Sequence, residues 1–152
     1  MQTVTLSLFR FDGVAARLWA LGMMGAARLA LPRIDGIGFW KLCGSGTGEG
    51  FTPVPNTAVY AILAAWPDMA TATLRTGADP LFQRYRRRAA EDWTLFLTPI
   101  QARGAWSDVA PFEAQPDPGH GPVAAMTRAT VKPRAAARFW RRVPDISSVI
   151  GA

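Results

Sequence analysis

Residues 39 to 53 read Phe39-Trp40-Lys41-Leu42-Cys43-Gly44-Ser45-Gly46-Thr47-Gly48-Glu49-Gly50-Phe51-Thr52-Pro53. Alternating glycines let a backbone approach a ligand closely and present N–H groups to anions. The spacing does not fit the dinucleotide pattern G-x-G-x-x-G: counted from Gly44 the last position is Glu49, and counted from Gly46 it is Phe51. No Gly-Lys-Ser/Thr follows, so a P-loop is excluded as well. Two readings of the run remain. It is a long mobile loop between strands, or Gly44, Gly46 and Gly48 form a gate at an apolar pocket walled by Phe39, Trp40 and Phe51.

The other chemically capable residues are few. Cys43 is the one cysteine, which rules out an internal disulfide and a Cys-based zinc site. Its thiolate could ligate a haem iron, but a lone Cys on a strand more often serves as a small core residue. His120 is the one histidine and lies in Pro118-Gly119-His120-Gly121-Pro122, a linker context without the fixed second partner that a ligating imidazole needs. Arg84, Arg86, Arg87 and Arg88 form a basic run. It reads as a solvated helix face or as a dock for an acidic protein or anionic lipid. No Ser–His–acid triad, paired-carboxylate motif or nucleic-acid-binding signature is present.

The elements that must position these residues follow from periodicity. Val4 to Phe11 alternates as a strand, and Val14 to Leu31 carries a helical apolar period that Pro32 ends. Ile37 to Cys43 and Thr57 to Trp66 read as strands. Asp68 caps a helix that Gly77 interrupts and Asp79-Pro80 restarts, running to about Ala90, and Trp93 to Pro99 is a fourth strand. The order β-α-β-β-α-β is that of an α+β, ferredoxin-like domain, expected over residues 3–102. Residues 103–122, rich in Pro and Gly, read as a linker. Residues 123–152 read as the start of a second repeat. Strand Val123–Val131 and helix Pro133–Arg142, with Arg138-Phe139-Trp140, echo Val4–Phe11 and Arg17-Leu18-Trp19.

The 152 residues have 49% hydrophobic and 18% charged content, enough apolar side chain for a core and too much for a disordered chain. Seventeen basic residues against eleven acidic give a net charge of +6, which favours an acidic partner or an anionic surface. All but Lys41 and Lys132 of the basic residues are Arg. The N-terminus lacks the basic-then-apolar pattern of a signal peptide, and the apolar stretch Leu18 to Ala27 is shorter than the ~20 residues of a membrane span. The expectation is an intracellular, cytoplasmic chain, soluble or peripheral to a membrane.

Residues 39 to 53 resemble the signature segment of the spheroidene monooxygenases. So do Thr3-Val4-Thr5-Leu6-Ser7, Ala58-Val59-Tyr60-Ala61, Trp66-Pro67-Asp68, Ala90-Glu91-Asp92-Trp93, Thr127-Arg128-Ala129-Thr130 and Arg138-Phe139-Trp140. The resemblance covers essentially the whole chain. It implies an oxidoreductase of carotenoid biosynthesis in purple photosynthetic bacteria, related in fold to dimeric α/β-barrel haem proteins. Such enzymes use O2, electrons from a ferredoxin and a b-type haem, and place a keto group at C-2 of acyclic carotenoids such as spheroidene. Cytoplasmic location with peripheral contact to the inner or photosynthetic membrane is implied with it. Family members continue past the point where this chain stops, and their haem-ligating histidine is not assignable to a position here; His120, the one candidate by residue type, sits in the linker. The resemblance therefore leaves three readings: the enzyme, an inactive fragment of it, and a non-catalytic ferredoxin-like module that binds an apolar ligand.

Overall fold

Strict alternation over Thr3–Arg10 makes β1, and every other strand of the sheet is organised around it. The computed structural model describes residues 1–48, 54–128, 131–139 and 141. Its elements run β1 (Thr3–Arg10), α1 (Val14–Ala30), a 3-10 turn (Leu31–Arg33), β2 (Phe39–Gly46), β3 (Pro55–Trp66), α2 (Met69–Ala78), α3 (Pro80–Arg88) and β4 (Glu91–Leu97). The sheet order is β2-β3-β1-β4, with β1 antiparallel to both β3 and β4. This is the ferredoxin-like arrangement that the element order predicts.

Sequence chemistry sets the boundaries. Gly13, with φ of 76°, turns the chain into α1, and Pro32 converts its end to the 3-10 turn. Gly36 is required twice over: its φ is +82°, and a Cβ there would stand 2.8 Å from the Thr71 methyl. Asp68 Oδ1 accepts from the Thr71 N–H at 2.7 Å, and Asp79 Oδ1 accepts from the Leu81 N–H at 2.8 Å. These caps start α2 and α3 where Asp68 and Asp79-Pro80 predict.

Period-two alternation gives the sheet two different faces. Thr5, Ser7, Phe9, Tyr60, Ile62, Ala64 and Trp66 point to the helices. Phe9, Tyr60, Ile62, Ala64 and Trp66 join Ala20, Met23 and Ala27 of α1 and Leu81, Phe82 and Tyr85 of α3 in the main core. The hydroxyls on this face are satisfied internally. Thr5 Oγ1 accepts from the Trp66 indole N–H at 2.8 Å, and Thr94 Oγ1 bonds Ser7 Oγ at 3.0 Å. The opposite face carries Val4, Leu63 and Ala65, with Leu6, Phe39, Cys43 and Leu97 packed around them.

The chain divides into two compact units, residues 1–45 with 57–117 and residues 46–56 with 118–152. Two expectations are corrected here. Residues 103–117, read as linker, belong to the first unit. Their aromatic residues and main chain find partners on the sheet, a possibility that their Pro and Gly content concealed. The strand expected over Val123–Val131 is not formed: residues 123–128 are irregular and exposed, because a strand needs a ladder partner for its N–H and C=O groups. Residues 129 and 130 lie outside the described residues. The expected helix from Pro133 is present over 133–139.

The Trp66–Thr5 bond gives a test of the inner face. Thr5→Val leaves a buried indole N–H unpaired and should cost about 1–3 kcal/mol, read as a lower urea midpoint. The double variant Thr5→Val/Trp66→Phe should cost less than the two single changes added together.

Candidate substrate face

The sheet face turned away from the helices is built in rows. Strand register places Ala65, Val4 and Leu97 side by side, then Leu63, Leu6 and Leu95, then Ala61, Leu8 and Trp93. Strands ~4.8 Å apart and residues ~3.4 Å apart make this an apolar floor roughly 14 Å across the four strands. β2 adds Phe39, Lys41 and Cys43 along one edge. At the far end Arg10 Nε donates to Glu91 Oε2 at 3.0 Å, so an ion pair bounds the floor beyond the Leu8 row.

The other end is covered by a strap formed from residues 99–115. Gln2 holds it with both ends of one amide: Nε2 donates to Pro111 O at 3.0 Å and Oε1 accepts from Glu113 N–H at 2.8 Å. The Gln115 N–H closes it on Pro99 O at 2.7 Å. Phe39 packs between Trp106, with ring centroids 5.7 Å apart, and Phe112 at 5.9 Å. Lys41 Nζ donates to Ser107 Oγ at 2.8 Å and lies 5.1 Å from the Phe39 ring centre. Ser107 and Asp108 have φ of 55° and 60°, the hand that a two-residue turn between Trp106 and Val109 demands. The strap leaves Leu6, Leu8 and Leu95 half-buried and Trp93 62% exposed.

The residues singled out from sequence are separated by this geometry. Phe39 and Cys43 lie on the floor side, whereas Trp40 packs with the helix-side core; successive strand residues face opposite ways. Gly44 and Gly46 are strand residues of β2 rather than loop. A Cβ at Gly44 or Gly48 would meet open space, and only Gly48, with φ of +77°, has a conformational need for glycine. Phe51 lies outside the described residues. The sequence does not mark the floor as a site. The alternation of Leu6, Leu8, Trp93 and Leu95 was its signal, but alternation alone does not reveal which face a helix covers.

Cys43 is half-buried among apolar groups, and that burial pushes its thiol up, with Lys41 pulling weakly the other way. It is a neutral thiol at physiological pH and behaves as a small core residue. His120 is exposed, with Nδ1 2.8 Å from Pro118 O. Among the described residues no group of three or more His, Cys, Asp or Glu could hold a metal ion. The described residues do not form a built haem site: the imidazole is exposed, and the thiol is packed among apolar side chains as a small core residue. No step is routed through such a group.

The basic run on α3 also divides. Arg86 is engaged, donating to Thr76 O at 2.6 Å and to Asp92 Oδ2 at 3.1 Å, so it ties α3 to α2 and β4. The Arg88 guanidinium lies 5.1 Å from the Trp19 ring centre. Arg84 and Arg87 are exposed. Arg84 shares a shallow open depression with Arg33, Asp79 and Pro80, and a second lies among Gln2, Gly36, Trp66 and Glu113. The first is away from the floor, and the second reaches only its strap-covered end at Ala65. We take the floor as the candidate site because it is the extended apolar surface the sheet leaves partly uncovered.

The resemblance read from the sequence is shown along nearly the whole chain. It is 49% identical to the spheroidene monooxygenase of Cereibacter sphaeroides over 152 residues, 99% of this chain and 47% of that protein. It is 47% identical to the spheroidene monooxygenase of Rhodobacter capsulatus, covering 99% of this chain and 64% of that protein. The chain thus spans about half to two-thirds of the length of these curated relatives. No family model matches. Among solved structures, that of Rv0793 from Mycobacterium tuberculosis aligns with a TM-score of 0.50 and 14% identity, over 68% of this chain and all of that one. It supports the fold alone.

Cys43 offers a check on the floor. Its alkylation should be slow at pH 8, with a pH midpoint above the ordinary thiol range. Lys41→Met should raise that midpoint further, because the opposing charge is removed. The neutral thiol is favoured in the folded state, so its stabilising contribution is present below the unfolded thiol value of about 8.5 and is lost as pH rises through the folded one. A midpoint at or below the free-thiol value would place Cys43 in solvent.

Proposed function

We propose that this chain, as part of a spheroidene monooxygenase, supplies the face on which one end of an acyclic carotenoid is held for oxidation at C-2. The observation that carries this reading is the accessible part of the apolar floor, half-buried Leu6, Leu8 and Leu95 with exposed Trp93, beside the buried Ala61 and Leu63, on a chain 49% identical to an enzyme named for spheroidene. An accessible area confined to β1 and β4 suits the end of a long polyene and not its whole length. Burying it there excludes water from the reacting carbon, and the aromatic strap closes one side.

The chemistry assigned to the longer enzyme is two successive hydroxylations at C-2. In each, one atom of O2 enters the substrate and the other leaves as water with two electrons and two protons from a donor. The resulting geminal diol loses water to give the ketone. The haem implied by the resemblance enters this reading as the oxygen-activating group of the longer enzyme, not as a ligand of the described residues. A ferredoxin is the proposed donor, and Arg84 and Arg87, exposed on α3, are the residues we assign to docking it. The same floor would serve a non-catalytic module that only holds an apolar ligand; formation of keto product separates the two readings.

Two measurements test the proposal. Spheroidene added to the chain should acquire an induced circular dichroism signal, and Leu8→Gln or Trp93→Ala should weaken its binding about tenfold with little change in melting temperature. Binding that ignores both changes would remove the floor from the reading. For the donor, Arg84→Glu with Arg87→Glu should weaken binding of reduced, acidic ferredoxin at low salt and flatten its salt dependence. An unchanged salt slope would return these arginines to plain solvation.

A further inference from the structure

α1 has two apolar faces where a surface helix should have one. Ala20, Met23 and Ala27 are buried against the core. On the opposite side Val14 is 74% exposed, Leu18 62%, Leu21 55% and Leu29 71%. At 100° per residue these four and Gly25 fall within about 80° of the helix circumference, a stripe along a helix ~25 Å long. Arg17 and Arg28 border one edge of the stripe and Gly22, Ala15 and Ala26 the other; all are exposed.

The charge around the stripe has one sign. From Gly13 to Ile34 the sequence contains no acidic residue and three arginines, Arg17, Arg28 and Arg33. α3 adds Arg88, stacked on Trp19 of α1, and Arg84, beside Arg33. The nearby carboxylates are occupied. Asp12 pairs with Arg10, Asp35 with Arg75 at 3.1 Å, and Asp79 caps α3.

We propose that this face of α1 lies in the interface of an anionic lipid bilayer, with Val14, Leu18, Leu21 and Leu29 inserted and Arg17, Arg28 and Arg33 at the headgroups. By length and composition Val14–Arg33 could cross a membrane. Its inner face is committed to the core, however, so the helix lies on the bilayer and does not span it. A second copy of the chain is the weaker occupant. A two-fold contact across the stripe would bring arginines of both copies together with no carboxylate along α1 to answer them. The proposal does not depend on the carotenoid reading, since the floor is on the other side of the sheet from α1.

The test uses the full chain in vesicle flotation, with phosphatidylcholine alone and with about one-third phosphatidylglycerol. The chain should float with the anionic vesicles and bind neutral ones at least tenfold more weakly. Leu18→Gln with Leu21→Gln should cut anionic binding tenfold or more with the thermal melt unchanged. Arg28→Gln with Arg33→Gln should cut it about fivefold per arginine. Polyene binding should survive the leucine changes, which separates this result from failure of the floor. Equal binding to both vesicle types, no flotation, or indifference to the leucine changes would overturn the proposal. So would a dimer, seen by sedimentation, that Leu18→Gln/Leu21→Gln splits into monomers.

Discussion

β1 is paired on both sides, with β3 and β4, and this central ladder constrains everything around it. A strand hydrogen-bonded on both edges cannot slip by one residue without sending every side chain to the wrong face. The register therefore fixes two surfaces at once. One is mixed, with Thr5 and Ser7 hydroxyls set among Phe9, Ile62 and Trp66, and it holds the helices. The other is purely aliphatic through Val4, Leu6 and Leu8, and it is turned away from α1, α2 and α3.

The two faces also separate two tasks. Helix-side packing supplies stability through Trp66, Tyr85, Phe9, Phe11 and Phe82, all nearly inaccessible to solvent. The aliphatic side is left partly open, and leaving half-exposed Leu and Trp on a surface sacrifices burial that folding could have used. The strap recovers part of it through Phe39, Trp106 and Phe112. Arg86 illustrates the same division within a single basic run: it is spent on joining α2, α3 and β4, while Arg84 and Arg87 stay in solvent.

Much of the fold was legible in the sequence, because alternation and capping are local signals. Val4–Phe11, Thr57–Trp66, Asp68 and Asp79-Pro80 each mark an element within a residue or two of its observed bounds. The separation of Phe39 from Trp40 follows from the same alternation once the strand is known to continue through Gly46. The strap was not legible. Its anchors pair Gln2 with Pro111 and Glu113, and no local pattern encodes a contact across that span. The strand expected at Val123 failed for a related reason: propensity marks a segment able to pair, and pairing needs a neighbour. The unpartnered stripe of α1 was hidden too, since a helical apolar period does not distinguish a face turned inward from one turned out.

The Gln2 clamp has a consequence for how the chain is made. The anchoring side chain leaves the ribosome more than a hundred residues before its partners. By then the segments forming all four strands and three helices have already been synthesised. The aliphatic face is therefore complete before the strap that covers its end has been made. Closing so long a loop adds little to its entropic cost compared with a shorter one, but contacts this distant in sequence form slowly. The newborn domain thus passes through a stage in which this apolar surface is uncovered.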